Sequence, residues 1–143
     1  MSLPLPTPGL VIRYSFLWSS EHEAGADEGK KDRPCAIVVA VPQGEKGQVR
    51  TIVAPITHAA PIDASMSLEI PANVCKSLGL DGARHWIRFD ELNRFTWPGY
   101  DLRPKPDGTF HYGMLPRGLF EELRNGIVKA HKARRAQLVA RDA

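Results

Sequence analysis

Residues 30–57 read KKDRPCAIVVAVPQGEKGQVRTIVAPIT, and the fold turns on this stretch. Cys35–Val41 is an apolar run of seven residues, the length of a buried strand and far short of the roughly 18 a membrane span requires. VPQGEKGQ reads as a hairpin turn, and VRTIVAPIT as a third strand pairing back on the second. Three cations and Asp32 stand directly before the apolar run. Pro34 fixes its own φ, removes a donor and biases Arg33 toward an extended backbone. The Arg33 guanidinium therefore leaves a sheet edge. Two readings fit it: a solvated strand end, or a cation held rigidly for an anionic substrate.

Outward from the hairpin, GLVIRYSFLW (9–18) reads as a first strand. The segment 19–32 carries Glu21, Glu23, Asp27, Glu28 and Asp32 with two glycines, and reads as a long exposed loop. HAAPIDASM is a loop, and Pro71 opens a short helix, PANVCKSL, that Gly79 ends. HWIRFDEL is a strand with Trp86, Arg88 and Asp90 on one face and Ile87, Phe89 and Glu91 on the other. NRFTW is another short strand, followed by the turn-rich 97–113. From Pro116, Leu119, Phe120, Leu123, Ile127 and His131 recur at helical spacing, although Gly126 costs that helix about 1 kcal/mol relative to Ala. The expected fold is mostly β (β+α): a small barrel with a short internal helix and a C-terminal helix. One domain spans 1–143, with a Pro-rich extended arm at 1–8 and a basic C-terminal helix end at 126–143.

Hydrophobic residues make up 43% and charged residues 24%, which fits an ordinary soluble domain; with no export signal the expected compartment is the cytoplasm. Cys35 and Cys75 lack metal or redox spacing and read as buried free thiols. The net charge of +3 is uneven: residues 1–123 hold 13 basic and 15 acidic side chains, whereas 124–141 hold six basic and no acidic ones. A basic end of this kind is weak support for nucleic-acid binding. Five histidines stand apart in sequence, no glycine-rich phosphate loop is present, and no serine sits in a G-x-S-x-G elbow. The chemistry expected here runs without a metal or an organic cofactor.

Four features remain in order: Gly9-Leu10-Val11-Ile12, Glu28 in its loop, Arg33-Pro34 with its strand, and Pro55-Ile56-Thr57, with Asp90-Glu91 and Trp97 beyond. This order resembles the MazF/PemK-like toxin endoribonuclease family of type II toxin–antitoxin pairs. APITHAAP and RFDELNRFTWPGYDLRP look like its longer PemK-like branch, and the likeness covers about residues 9–125. The resemblance implies an SH3-like barrel of the plasmid-maintenance-toxin type, usually a homodimer, which cuts single-stranded RNA near the dimer interface. It implies a growth inhibitor held in check by a cognate antitoxin, and a cleavage that needs no metal and leaves a 2′,3′-cyclic phosphate. Arg33 and Thr57 match the family's catalytic pair. Asp90-Glu91 departs from the Asp-Gln that many members carry.

The chemistry is sensible on its own terms. When a ribose 2′-OH attacks the adjacent phosphodiester, negative charge gathers on the non-bridging oxygens. Arg33 offers parallel N–H donors to them, and the Thr57 hydroxyl offers another. The reaction also wants a base and an acid. His58 is a candidate for one role, since imidazole ionises near neutrality, and a solvated loop residue is its plainer reading. Glu28, at the family's loop position, is a candidate base. Arg88 and Arg94 interleave with aromatics, and with Glu91 and Trp97 they form a candidate RNA-binding face. The alternative function is a catalytically inactive barrel of the same shape that binds RNA or a protein partner; a toxin acting on a topoisomerase is a third.

Overall fold

β2 (Arg33–Gln43) and β3 (Gln48–Thr57) form the antiparallel hairpin that the sequence predicts, pairing from Cys35 opposite Pro55 to Gln43 opposite Gln48 with a one-residue shift of register between Ile37 and Val39. The computed structural model describes residues 3–44 and 46–142. Glu45 of the expected turn, the first two residues of the Pro-rich arm and Ala143 lie outside the described residues.

β1 (Leu10–Tyr14) pairs antiparallel with β2 on one side and with β7 (His111–Met114) on the other. The expected first strand is thus cut short at Tyr14: Ser15 N donates to Asp101 O at 2.8 Å and Phe16 N turns back onto Tyr14 O at 3.0 Å. The buried amide of Asn93 accepts from Leu17 N at 2.9 Å and donates to Leu17 O at 2.8 Å, so this backbone bonds to a side chain and not to a ladder. Directly after it, α1 (Ser19–Glu23) occupies the start of the segment expected to be loop. Gly29 then passes so close to Phe16 that a Cβ there would lie 2.0 Å from the Phe16 carbonyl oxygen. Only glycine permits that approach.

β3 is shared between two partners. Its Val49–Val53 stretch pairs with β6 (Glu91–Trp97), and its last two residues pair with β5 (Trp86–Arg88), which carries β4 (Ser67–Glu69) on its far edge. HWIRFDEL is therefore two strands, broken at Phe89 and Asp90. The alternation of faces survives the break: Arg88, on the same face as Asp90, grips its carboxylate with two bonds of 2.8 and 2.9 Å. The sheet path runs β4-β5-β3-β2-β1-β7, with β6 branching from β3 and a last strand, β8 (Gln137–Ala140), pairing with β6, and it does not close on itself.

α2 (Ala72–Ser77) starts behind Pro71 and ends at Gly79, whose φ of 71° supplies the expected left-handed stop. α3 (Arg117–Lys132) buries Leu119, Leu123 and Ala130. Gly126 has a packing reason: a Cβ there would lie 2.4 Å from the Phe89 ring. The basic end is not helical to its close. α3 stops at Lys132, Arg134 adopts a φ of 57°, and β8 (Gln137–Ala140) joins β6 in parallel with Val139 buried. Pairing along an open edge of β6 overrides helix continuation here.

Both faces of the β1–β2–β3 sheet are covered around Cys35–Val38, which is buried throughout, whereas Val39 and Val41 beyond it are exposed. On one face Val11, Ala36, Ala54 and Ile56 meet α2 and α3; on the other Ile12, Tyr14, Cys35, Ile37, Val53 and Phe95 pack together. Cys35 and Cys75 are both buried free thiols. Among the described residues no helix is long and apolar enough to cross a membrane.

Candidate functional site

Extending the β2–β3 register two places beyond the Cys35–Pro55 pair sets Arg33 opposite Thr57, though the two are 24 positions apart in sequence. Both line one cavity of about 280 Å³, and His58 lines it with them. Two core strands thus place three of the predicted residues at one mouth.

Arg33 is half-buried, and burial lowers its pKa from the usual guanidinium value. An arginine nonetheless stays charged in any ordinary solvent. Its Nε is buried with no hydrogen-bond partner among the described residues. The guanidinium carbon lies 5.0 Å from the centre of the Trp18 ring, a cation–π contact that holds the group by its face and leaves its N–H edge uncommitted. Trp18 in turn is fixed by its neighbours. Asn93 clamps Leu17, and the Glu91 carboxylate accepts from Ser19 N at 2.8 Å and from Ser19 Oγ at 2.6 Å.

The Thr57 hydroxyl accepts from Ala59 N at 3.1 Å. A hydroxyl has one hydrogen and two lone pairs, so this bond orients the oxygen while its own hydrogen stays available to donate. His58 lies within 3.5 Å of Asp81, whose other oxygen is 3.1 Å from His85 Nε2, and the two imidazole rings are 4.4 Å apart. Asp81 and His85 line the same cavity. A backbone bond from Ala83, then the two histidines, hold the Asp81 carboxyl below its usual pKa. Tyr112, on the far wall, has its pKa raised by burial against the opposing pull of Arg13, so its phenol is another neutral donor.

The remaining predicted residues lie elsewhere. Glu28 is exposed and 3.8 Å from Arg103, outside the cavity lining. Arg88 is bonded to Asp90 and lies 5.4 Å from the same Trp18 ring, so one indole serves two guanidiniums. Glu91 is committed to Ser19. Arg94 sits in β6 between Ile52 and Ala140, and Trp97 packs beside Phe95 with ring centres 6.2 Å apart. None of these lines the Arg33 cavity.

Trp18, Asp81, His85 and Tyr112 escape the sequence reading. A D-x-x-x-H pair at 81 and 85 was the available signal, but the segment is not helical and its meeting with His58 depends on how loops cross. The chain matches no protein-family model, and no curated protein sequence matches it.

Proposed function

We propose that the protein is a metal-independent, sequence-specific endoribonuclease of the MazF/PemK-like kind, acting on single-stranded RNA. The observation that carries this reading is the convergence of Arg33, Thr57 and His58 on one cavity, with donor capacity left over on the first two. A phosphodiester seated there meets a cation and a hydroxyl of the right chemistry for its non-bridging oxygens. The 2′-oxygen forms a bond to phosphorus as the P–O5′ bond breaks, giving a 2′,3′-cyclic phosphate and a free 5′-hydroxyl. One proton leaves the 2′-OH and one arrives on the departing oxygen. His58 is the imidazole at hand for one of these transfers. Glu28 stands outside the cavity lining, so we assign it no transfer. In this reading the strands around β2 and β3 are those of an SH3-like barrel. The protein acts as a homodimer, as the toxin of a toxin–antitoxin pair whose antitoxin covers the cavity.

The test is incubation of purified protein with a long, weakly structured RNA in excess EDTA, with ends mapped by primer extension. Discrete cuts, reduced about 10²–10³-fold by Arg33→Ala and strongly by Thr57→Val, are expected. Intact RNA with folded protein overturns the reading and leaves the inactive binding barrel as its successor.

A further inference from the structure

We infer that His58, Asp81 and His85 form a binding site for one transition-metal dication of the Zn²⁺ type. The three residues come from two loops, one leaving β3 and one entering β5, and each offers one ligand atom, all lying within 4.8 Å of one another. Bonds of about 2.0–2.2 Å to a tetrahedral ion place neighbouring ligand atoms roughly 3.3–3.6 Å apart. His58 Nε2 lies 3.5 Å from one Asp81 oxygen and His85 Nε2 3.1 Å from the other, so with one atom taken from each residue the set, within 4.8 Å, has to tighten by about an ångström to hold the ion. The third side closes by rotation of His58, whose side chain is 54% exposed and therefore free to turn.

The floor of the site is already set. His85 is 4% exposed, so its ring has little room to reorient, and Asp81 is held by Ala83 N at 2.9 Å. Two imidazoles with one carboxylate form a donor set suited to Zn²⁺ and its neighbours; Mg²⁺ and Ca²⁺ take oxygen ligands instead. Three protein ligands leave a fourth tetrahedral position for water or an anion, on the cavity that Arg33 and Thr57 line. A cation there and the Arg33 guanidinium favour the same kind of ligand, an anion of phosphate type. The site does not depend on the ribonuclease reading: it exists whether or not the protein cuts RNA.

The test uses untagged full-length protein stripped of metal, titrated with Zn²⁺ against a chromophoric chelator in the absence of RNA. One equivalent is expected to bind. His58→Ala and Asp81→Asn, both at exposed positions that leave the buried ring in place, are each expected to weaken it tenfold or more. His22→Ala, on the exposed α1, is expected to change nothing. Co²⁺ in place of Zn²⁺ is expected to show the intense visible bands of a tetrahedral ion, lost in both variants. Failure of the protein to compete with the chelator, or wild-type affinity in either variant, overturns the inference. Because the cleavage assay runs in excess EDTA and this one without RNA, failure of either leaves the other standing.

Discussion

Arg33 and Arg141 are both withdrawn from water, yet they are built in opposite ways. Arg141 has a side chain only 3% exposed and every arm engaged. Its Nη1 donates to Ser15 O at 2.6 Å and to Asn93 Oδ1 at 2.9 Å; its Nη2 donates to Asp27 O at 3.0 Å and pairs with Asp101 at 2.9 Å. Both have a ring against a face, Tyr14 at 5.5 Å from Arg141 and Trp18 at 5.0 Å from Arg33, but Arg33 has a buried Nε that bonds to nothing among the described residues. Burial raises the pKa of Asp101 while Arg141 pulls it down, which shows how much desolvation the saturated pair must offset. A saturated guanidinium is architecture, since its donors are spent within the chain. An unsaturated one beside a cavity keeps donors for a ligand.

The comparison breaks most visibly at Arg141. Arg141→Ala leaves the half-buried Asp101 without its bonded cation and strips donors from Ser15 and Asn93, so a loss of about 3 kcal/mol in unfolding free energy is expected. Urea denaturation reads it. Arg33→Ala is expected to do the reverse: stability equal to wild type or slightly higher, because a desolvated charge disappears, with cleavage reduced by about 3–4 kcal/mol of transition-state stabilisation. If the Arg33 variant unfolds as readily as the Arg141 variant, the two cations are of one kind and the distinction is lost.

Trp18→Leu sharpens the contrast by keeping apolar volume while deleting the cation–π contacts to Arg33 and Arg88. A stability loss of about 1–2 kcal/mol is expected, with a larger fractional fall in cleavage than in RNA affinity. Comparing kcat with KM separates the two effects. The smallest effect falls on an exposed member of the basic tail, Arg135, which bonds Asp63 at 2.8 Å. Bonds from Ser65, then Arg135, lower the Asp63 pKa to about 2. A carboxyl held below its unfolded value contributes stability at neutral pH that fades as pH falls from roughly 4 toward that value. Asp63→Asn is expected to flatten the acid limb of the stability profile slightly and leave pH 7 cleavage unchanged.

The basic tail shows why composition misleads here. Six cations without an acid are weak support for phosphate attraction, and two of the six are engaged within the chain: Arg141 is sealed inside and Arg135 is paired with Asp63. Charge counts carry no information on partners as distant in sequence as Asp63 is from Arg135, 72 residues, or Ser15 from Arg141, 126 residues. Glu91 teaches the same lesson from the acidic side. Its difference from glutamine is absorbed by Ser19, where two donors converge and a carboxylate accepts both.

By itself the sequence determined the β2–β3 hairpin, the helix behind Pro71 and the apolar stripe of α3. Each follows from short-range rules: periodicity, a proline or glycine at a fixed place, and the register that a hairpin imposes on its own ends. Tertiary structure alone decided the rest. Past Tyr14 the first strand gives way to bonds with distant segments, Ser15 to Asp101 and Leu17 to Asn93; the tail becomes β8 because β6 offers an unpaired edge; and His58, Asp81 and His85 meet because two loops end beside each other. Those outcomes rest on contacts between distant segments, whose energies no local pattern encodes.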